Sequence, residues 1–268
     1  MKLLNLTVLI KGAGEVASGV AHRLHNSHFN IVLTEIEKPL AVSRGTSFCE
    51  AVWDGKKTIE GVTAELIQKP KIKNIMETWE NNNIPLIIDS KASIRFIIKP
   101  DIIVDATMIK KKNSTNLNDA PLVIGLGPGF YAGGNVHMVI ETFQNNDLGK
   151  VIYNGEALPD NGLPVEIGGL GAERVIWSEY DGTFLSTKNI GDCVDKGEAI
   201  ASIDNKIITA PLRGWLRGLL RSNVFVNYGT KLIEIDHINS NGVANDIRNK
   251  MRAIGGGVLE AIMVKYNN

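Results

Sequence analysis

The residues with the clearest chemical potential form a glycine-rich turn that follows a short apolar run near the start of the chain. Glycines let the backbone turn sharply and approach a ligand closely. If a helix begins directly after such a turn, its unpaired N–H groups can face an anion such as a phosphate. An acidic residue about twenty positions later is placed to accept hydrogen bonds from ribose hydroxyls. We therefore expect these residues to bind a nucleotide-bearing cofactor: Gly12, Ala13, Gly14, Glu15, Val16, Ala17 and Glu35.

A second glycine-rich loop follows the apolar run that ends at Leu126. Gly127 and Gly129 lie in this loop, where successive backbone N–H groups can form a concave anion site. Arg44 follows the second predicted strand, on the side where the ligand would lie, although an exposed or ion-paired arginine explains it equally well. These three residues complete the predicted cofactor-binding set.

Three side chains are candidates for catalysis. His137 and Glu141 are four residues apart and share a face of either a helix or a strand, so they could serve proton transfer. A structural hydrogen bond between the two explains the same spacing. Cys49 could be a reactive thiol, although a buried apolar cysteine is the more common case. Two ligating side chains do not define a metal site, and none is predicted.

The elements that position these residues follow from hydrophobic periodicity. The pattern predicts a strand, a turn, a helix and a second strand up to Glu35, followed by apolar runs that end in Asp89 and Asp105. Strands of a parallel sheet end at one common edge, where ligands bind. Further along the chain, Asp54-Gly55 reads as the turn of a hairpin. Three successive glycines, at positions 255–257, indicate a break in the last helix or a close approach of backbone.

The second half contains a sequence repeat. Residues 181–204 align with residues 213–236 at a constant offset of 32, without gaps. Each copy has short alternating segments and a glycine-marked turn, which favours an all-β module made of two related halves. The stretch from Ile190 to Gly214 resembles the biotinyl/lipoyl-type barrel-sandwich, or hammerhead, domain. In carrier versions a hairpin lysine bears the prosthetic group, and Lys206 is read here as an unmodified surface residue.

The expected fold is therefore an α/β Rossmann-like domain followed by an all-β barrel-sandwich domain. We place a nucleotide-binding domain at residues 1–147 and the barrel-sandwich at residues 148–238. A helical tail at residues 239–268 is expected to pack back on the first domain.

Composition narrows the function. The 268 residues carry 29 basic and 29 acidic side chains, and this balance argues against a general nucleic-acid binder. No apolar run approaches the length of a membrane span. Two distant cysteines give no disulfide framework, which is typical of a cytoplasmic protein. The sequence leaves open whether the chain forms a homo-oligomer.

Along nearly its whole length the sequence resembles the YqeB-type family, accessory proteins of selenium-dependent molybdenum hydroxylase systems. The resemblance is carried by the first glycine turn, Ser47–Val52, Gly125–Phe130, Asn135–Thr142 and the tail Arg252–Ala261. The family is distantly similar to XdhC-type maturation factors for xanthine dehydrogenase.

This resemblance implies a role in maturing a molybdenum hydroxylase apoenzyme, with an NAD-like dinucleotide or a molybdopterin-type cofactor as ligand. Two alternatives stay open. One is a non-catalytic scaffold or docking protein, and the other is an NAD-dependent oxidoreductase that uses His137 as general acid.

Overall fold

A computed structural model of the chain describes residues 6–109, 114–164, 166–238 and 245–267. The chain forms two compact units that both draw on separated segments of sequence. The first contains Met1–Pro39, Ser47–Asp160 and Ile247–Asn268, and the second contains Leu40–Thr46 and Asn161–Asp246.

The first unit is built on a mixed sheet of nine strands with the spatial order β10-β9-β7-β6-β1-β2-β5-β4-β3. In chain order its strands are β1 (Thr7–Lys11), β2 (Asn30–Glu35), β3 (Lys56–Ile59), β4 (Val62–Leu66), β5 (Ile84–Ile88), β6 (Ile102–Asp105), β7 (Leu122–Leu126), β9 (Met138–Ile140) and β10 (Val151–Ile152). A separate antiparallel pair joins β8 (Tyr131–Ala132) to β11 (Gly155–Glu156).

The interior of this sheet is parallel, and both edge strands are antiparallel to their neighbours. β1 is central, and its residues Val8, Leu9 and Ile10 are fully buried. Continuous apolar runs of this kind are typical of parallel strands covered on both faces. β2 pairs with one side of β1 and β6 with the other, so the strand order reverses at β1. In open α/β sheets, ligands bind at such a reversal, beyond the carboxyl ends of the strands.

The described residues form five α-helices: α1 (Glu15–His25), α2 (Ala51–Asp54), α3 (Ile72–Glu80), α4 (Arg95–Ile98) and α5 (Asn249–Tyr266). α1 connects β1 to β2 and α3 connects β4 to β5. The described part of the connection from β6 to β7 holds only a short 3₁₀ turn, Leu117–Asp119.

The last helix, α5, packs directly against α1 although more than 200 residues separate them. A Cβ atom added to Gly19 of α1 would lie 2.6 Å from Met251 Cβ, and one added to Gly255 would lie 3.0 Å from the carbonyl oxygen of Gly19. Glycine therefore lets the two backbones come closer than any larger residue would allow. The prediction of close approach is confirmed at Gly255 and at Gly257, whose Cβ would overlap the carbonyl oxygen of Gly149, but not at Gly256. The prediction of a helix break is wrong, because α5 continues through them.

The second unit consists of two four-stranded antiparallel sheets. One has the order β12-β19-β17-β14 and the other β16-β15-β13-β18. The strands are β12 (Val175–Trp177), β13 (Gly182–Leu185), β14 (Cys193–Val194), β15 (Ala199–Ile203), β16 (Lys206–Thr209), β17 (Gly214–Leu219), β18 (Val224–Val226) and β19 (Lys231–Asp236). Strands 32 residues apart make equivalent pairings, since β13 pairs with β15 and β18 while β17 pairs with β19 and β14.

The expected combination of a Rossmann-like domain and a barrel-sandwich domain is wrong. The chain instead has a large mixed sheet of nine strands, several antiparallel sheets and one long C-terminal helix. The local strand-turn-helix pattern was read correctly. It did not reveal the order of the nine strands, because this order depends on pairing between segments that are far apart in sequence, such as β1 with β6.

The predicted hairpin also lies elsewhere. Residues Ala51–Asp54 form α2, and the hairpin joins β3 to β4 through Glu60 and Gly61. Both turn residues have positive φ angles, 44° and 83°, as expected for the tight turns that match strand twist. Asp54-Gly55 ends the helix rather than turning a hairpin.

Two neighbouring glycines of α5 should respond in opposite directions to alanine. A Cβ at Gly256 meets nothing within 4 Å, so Gly256→Ala should stabilise the first unit by about 0.5–1 kcal/mol through helix propensity. A Cβ at Gly257 would overlap the carbonyl oxygen of Gly149, so Gly257→Ala should destabilise it by about 1–3 kcal/mol. Urea denaturation of both variants measures the two changes. Equal effects would contradict the described packing of α5.

Candidate functional site

The first glycine turn lies where β1 leaves the sheet between β2 and β6. Gly12 adopts φ = +94°, and its N–H donates to the carbonyl of Thr34 over 2.8 Å. A Cβ at Gly12 would lie 3.1 Å from the carbonyl oxygen of Ala106. Both the left-handed conformation and this close approach exclude a side chain here. The chain can therefore turn into α1 directly beyond the carboxyl edge.

The turn then opens toward free space at Gly14, the residue that precedes α1. A Cβ placed on Gly14 meets no atom of the described residues within 4 Å, whereas Ala13 beside it is fully buried. Val16 and Ala17 belong to the first turn of α1, whose N–H groups have no acceptor within the helix. Donors that have no acceptor among the described residues thus lie next to an open region, which suits an anionic group.

Glu35 ends β2 and points to the same turn. Its Oε2 accepts the N–H of Ala13 over 2.8 Å, and its Oε1 accepts the N–H of Ile36 over 2.8 Å. Burial raises the pKa of Glu35, while these two N–H donors act to lower it. Each carboxylate oxygen has a second lone pair, so Glu35 can hold the turn and still accept a ligand hydroxyl.

Cys49 packs behind this turn rather than opening to solvent. Its N–H donates to the carbonyl of Ala13 over 2.8 Å, and the residue is fully buried. The Ser18 hydroxyl donates to the same carbonyl oxygen of Ala13 and accepts the N–H of Phe48. The segment around Cys49 therefore holds the turn in shape, as the prediction of a buried cysteine implies.

A buried ion pair lies at the ends of β1 and β6. Lys11 Nζ is 2.7 Å from Asp105 Oδ2, and Thr115 Oγ1 bonds to both groups. Burial alone would raise the pKa of Asp105, but Lys11 together with the hydroxyls of Thr107 and Thr115 holds it below its usual range. Asp105 was predicted to lie at the ligand-binding edge of the sheet. Its carboxylate instead binds Lys11 and so links β6 to β1, where the strand order reverses.

The second glycine loop is largely explained by packing. The N–H of Gly127 donates to the carbonyl of Ile140 over 2.9 Å, and a Cβ on Gly127 would overlap the hydroxyl of Thr142. Gly127 is buried and Gly129 is half-buried. The N–H of Gly127 is therefore not available to an anion.

His137 directly precedes β9 and Glu141 directly follows it, and each side chain hydrogen-bonds to backbone. His137 Nδ1 accepts the N–H of Val123 over 3.0 Å, and burial lowers the pKa of His137, with a smaller contribution from Lys265. Glu141 accepts three N–H groups, those of Thr142, Phe143 and Leu158, over 2.7–2.9 Å. Within the described ranges the two side chains make no hydrogen bond to each other.

Two predicted residues belong to the second unit. Arg44 Nε donates to the carbonyl of Leu219 over 2.7 Å. Lys206 begins β16, and its ammonium lies 3.2 Å from the centre of the Tyr180 ring, a cation–π contact.

The start of α5 supplies two basic residues that the sequence did not point to. Arg248 precedes α5 and binds Glu15 at the start of α1, with Nε 2.5 Å from Oε1. Lys250, in the first turn of α5, is half-buried and lies near enough to Glu15 and Glu141 for their charges to act on it. A helical pattern after Arg248 is visible in the sequence, but no local signal shows that this helix begins beside α1.

Among residues 6–109, 114–164, 166–238 and 245–267, no helix is long and apolar enough to cross a membrane. No group of three or more His, Cys, Asp or Glu side chains in these ranges could hold a metal ion. The sequence also holds three successive lysines, Lys110, Lys111 and Lys112, which lie outside the described residues.

Comparison with known proteins shows that nearly the whole chain is similar to a protein of the YqeB type. That relative is the uncharacterized protein YqeB of Escherichia coli (strain K12), which is 41% identical over 257 residues. The match covers 96% of this chain and 47% of the relative, so the chain spans about half the relative's length. It supports the resemblance to the YqeB-type family. No protein-family model matches the chain.

Two solved structures are distantly similar. The ectoine utilization protein EutE (DoeB) from Ruegeria pomeroyi is 12% identical, with a TM-score of 0.26 and coverage of 86% of this chain and 85% of that one. A succinylglutamate desuccinylase from Silicibacter sp. TM1040 is 13% identical, with a TM-score of 0.25 and coverage of 86% and 84%. TM-scores this low do not establish a common fold.

Removing the carboxylate of Asp105 should destabilise the first unit strongly. Asp105→Asn leaves the Lys11 ammonium buried without its counter-charge, which should lower the free energy of unfolding at pH 7 by about 3–5 kcal/mol. Glu77→Gln is the matched control, because the Lys73–Glu77 pair on α3 is exposed and should contribute less than about 0.5 kcal/mol.

The effect of Asp105→Asn should also depend on pH. The pKa of Asp105 is lower in the folded chain than its ordinary value of 3.8, so its contribution is complete above that value. It is lost as the pH falls through the folded pKa. The stability gap between wild type and variant, measured by urea denaturation, should therefore shrink below about pH 3.8. A gap that is absent at pH 7, or that does not change with acid, would contradict this role.

Proposed function

We propose that the first unit binds a nucleotide-bearing small molecule at the turn of Gly12–Ala17, and that this binding serves the maturation of a selenium-dependent molybdenum hydroxylase. The ligand class is an NAD-like dinucleotide or a molybdopterin-type cofactor that carries a nucleotide. The chain acts as an accessory protein that holds this molecule for the hydroxylase apoenzyme.

One observation carries the binding proposal. The turn lies at the reversal of strand order, and open space adjoins Gly14 at the start of α1. A phosphate in this space can accept N–H groups from the first turn of α1. Glu35 lies at the same turn and can accept from the ribose. The residues present therefore fit the phosphate and sugar of a nucleotide, and an acid in this place favours a free 2′-hydroxyl.

The proposed role in maturation is supported by sequence similarity and not by the geometry of the site. It rests on the resemblance to the YqeB-type family, which the 41% identity to an uncharacterized member strengthens without adding a reaction. We assign to the chain the positioning of a ligand rather than catalysis, since His137 and Glu141 both hydrogen-bond to backbone and, among the described residues, not to each other.

A scaffold without a ligand is the second candidate function. The observation that favours it is that Gly127, Gly255 and Gly257 are explained by close packing alone. If the chain is a scaffold, an affinity pull-down of the hydroxylase should be unaffected by Gly14→Ala.

Gly14→Ala should separate binding from folding. The added methyl group meets no protein atom, so the fold should be retained, but it fills the space where a phosphate would approach the backbone. We expect binding of labelled NAD, ATP and molybdopterin dinucleotide, measured by titration, to weaken at least about tenfold for the true ligand, or about 1.4 kcal/mol. Gly256→Ala is the matched control and should bind as the wild type does.

The same pair of variants tests the maturation role. The hydroxylase should gain activity when it is co-expressed with the wild-type chain or with Gly256→Ala, and not with Gly14→Ala. A hydroxylase that is fully active without this chain would contradict the role. Absence of binding to all three ligands at millimolar concentration would contradict the site.

A further inference from the structure

A short segment of the first unit, residues 89–99, presents apolar side chains to solvent. It follows β5 and contains α4. Phe96 is 70% exposed and Ile97, the next residue of α4, is 52% exposed. A single exposed apolar side chain is ordinary, but an exposed aromatic ring beside an exposed isoleucine offers a contiguous anchor for another molecule.

Phe96 is held in one position although it is exposed. The guanidinium carbon of Arg95 lies 4.2 Å from the centre of the Phe96 ring, a cation–π contact. Arg95 is itself fixed, because its Nη1 donates to the carbonyls of Lys91 and Ala92 over 2.9 and 3.0 Å. Its Nε lies 3.5 Å from Asp119 Oδ1. An aromatic side chain that is fixed in advance loses little conformational entropy when a partner covers it, as an interface anchor requires.

The backbone of this segment is constrained as well. Ala92 is buried with φ = +51°, and Lys99 has φ = +47°. Residues other than glycine rarely adopt such angles and keep them where the surrounding contacts impose them. One such contact joins Asp89 Oδ2 to the N–H of Ile94 over 2.8 Å. α4 is therefore presented on a constrained backbone.

The charge around α4 is positive. Residues 90–100 contain three cations, Lys91, Arg95 and Lys99, and no acid. Arg95 faces a carboxylate, but Lys91 and Lys99 are exposed and form no ion pair among the residues that the structure describes. A partner that fits this surface therefore has an apolar pocket for Phe96 and carboxylates opposite the two lysines.

The segment is joined directly to the candidate nucleotide site. Glu35, at the end of β2, pairs in register with Ile88 at the end of β5. The N–H of Asp89 then donates to the carbonyl of Glu35 over 2.9 Å. Since Glu35 is the residue assigned to the ribose, a protein that covers α4 lies beside the edge of the sheet where the nucleotide is proposed to bind.

We propose that α4 is the surface on which the hydroxylase apoenzyme docks, with Phe96 and Ile97 as its apolar contacts and Lys91 and Lys99 beside them. This inference rests on the proposed function and adds to it the surface through which the apoenzyme meets the ligand. The matching surface of the apoenzyme is an apolar pocket with an acidic rim.

An anionic membrane fits this surface less well than an acidic protein does. Binding to a lipid surface takes a cluster of about four to eight basic residues or a long amphipathic helix. α4 has four residues, and only two lysines beside it are without an ion pair among the described residues. The charge and the small apolar area therefore favour a protein pocket.

Phe96→Ser tests the apolar contact, with Phe225→Ser as the matched control. Phe225 is 60% exposed, but it lies on β18 of the second unit. Isothermal titration of the purified apoenzyme with the intact chain measures the affinity. We expect Phe96→Ser to weaken binding about tenfold or more and Phe225→Ser to leave it unchanged. Both positions are exposed, so both variants should melt close to the wild-type temperature.

The double variant Lys91→Glu, Lys99→Glu tests the charges. Wild-type binding should weaken as sodium chloride is added, because salt screens exposed charges. The double variant should bind about tenfold more weakly or worse, and it should lose most of this salt dependence. Lys196→Glu is the control, since Lys196 is exposed in the second unit.

The inference is overturned if Phe96→Ser and the double variant bind the apoenzyme as tightly as the wild type, or if salt leaves wild-type binding unchanged. It is also overturned if the wild type binds vesicles that contain phosphatidylserine, and not the apoenzyme, and Phe96→Ser abolishes that binding.

Failure of the proposed function gives a different pattern. A wild-type chain that does not bind the apoenzyme contradicts both the maturation role and this docking surface. Equal binding by the wild type and all variants contradicts the docking surface alone. Titration with ADP separates the nucleotide site from both, because Phe96→Ser should bind ADP as tightly as the wild type does.

Discussion

The first unit depends on the close approach between Gly12 and the carbonyl of Ala106. Because no side chain stands between them, the end of β1 can turn between β2 and β6 and start α1 at the edge of the sheet. Glu35 and the segment around Cys49 then hold the backbone of Ala13 from two sides. The turn is thus fixed by contacts around Ala13, while Gly14 is left open.

The candidate site also depends on a contact between segments that are far apart in sequence. α5 comes from the other end of the chain and packs on α1 through small residues. This packing brings the first turn of α5 to the same edge as the glycine turn. The shape of the candidate site is therefore set by β1, β2 and β6, and the start of α5, more than 200 residues away, brings Arg248 to Glu15 at the same edge.

The sequence allowed the local part of this site to be predicted and not the distant part. Apolar runs, a glycine turn and an acid at the right spacing identified β1, α1, β2 and Glu35, because all of these are signals within a short window. The pairing of Arg248 with Glu15 could not be found in this way, since it comes from the packing of α5 on α1. Gly255 and Gly257 misled the helix prediction for the same reason, as their cost in propensity is offset by contacts with Gly19 and Gly149. The predicted fold class was wrong because it depends on which strands pair with each other, whereas the sequence pattern shows only where strands form.

The most direct test of the account is a crystal structure of the chain grown with ADP. The account predicts phosphate oxygens within about 3 Å of backbone nitrogens in the first turn of α1, and a ribose hydroxyl at the carboxylate of Glu35. ADP bound away from this turn, or a turn whose open space at Gly14 is filled by the protein itself, would contradict it.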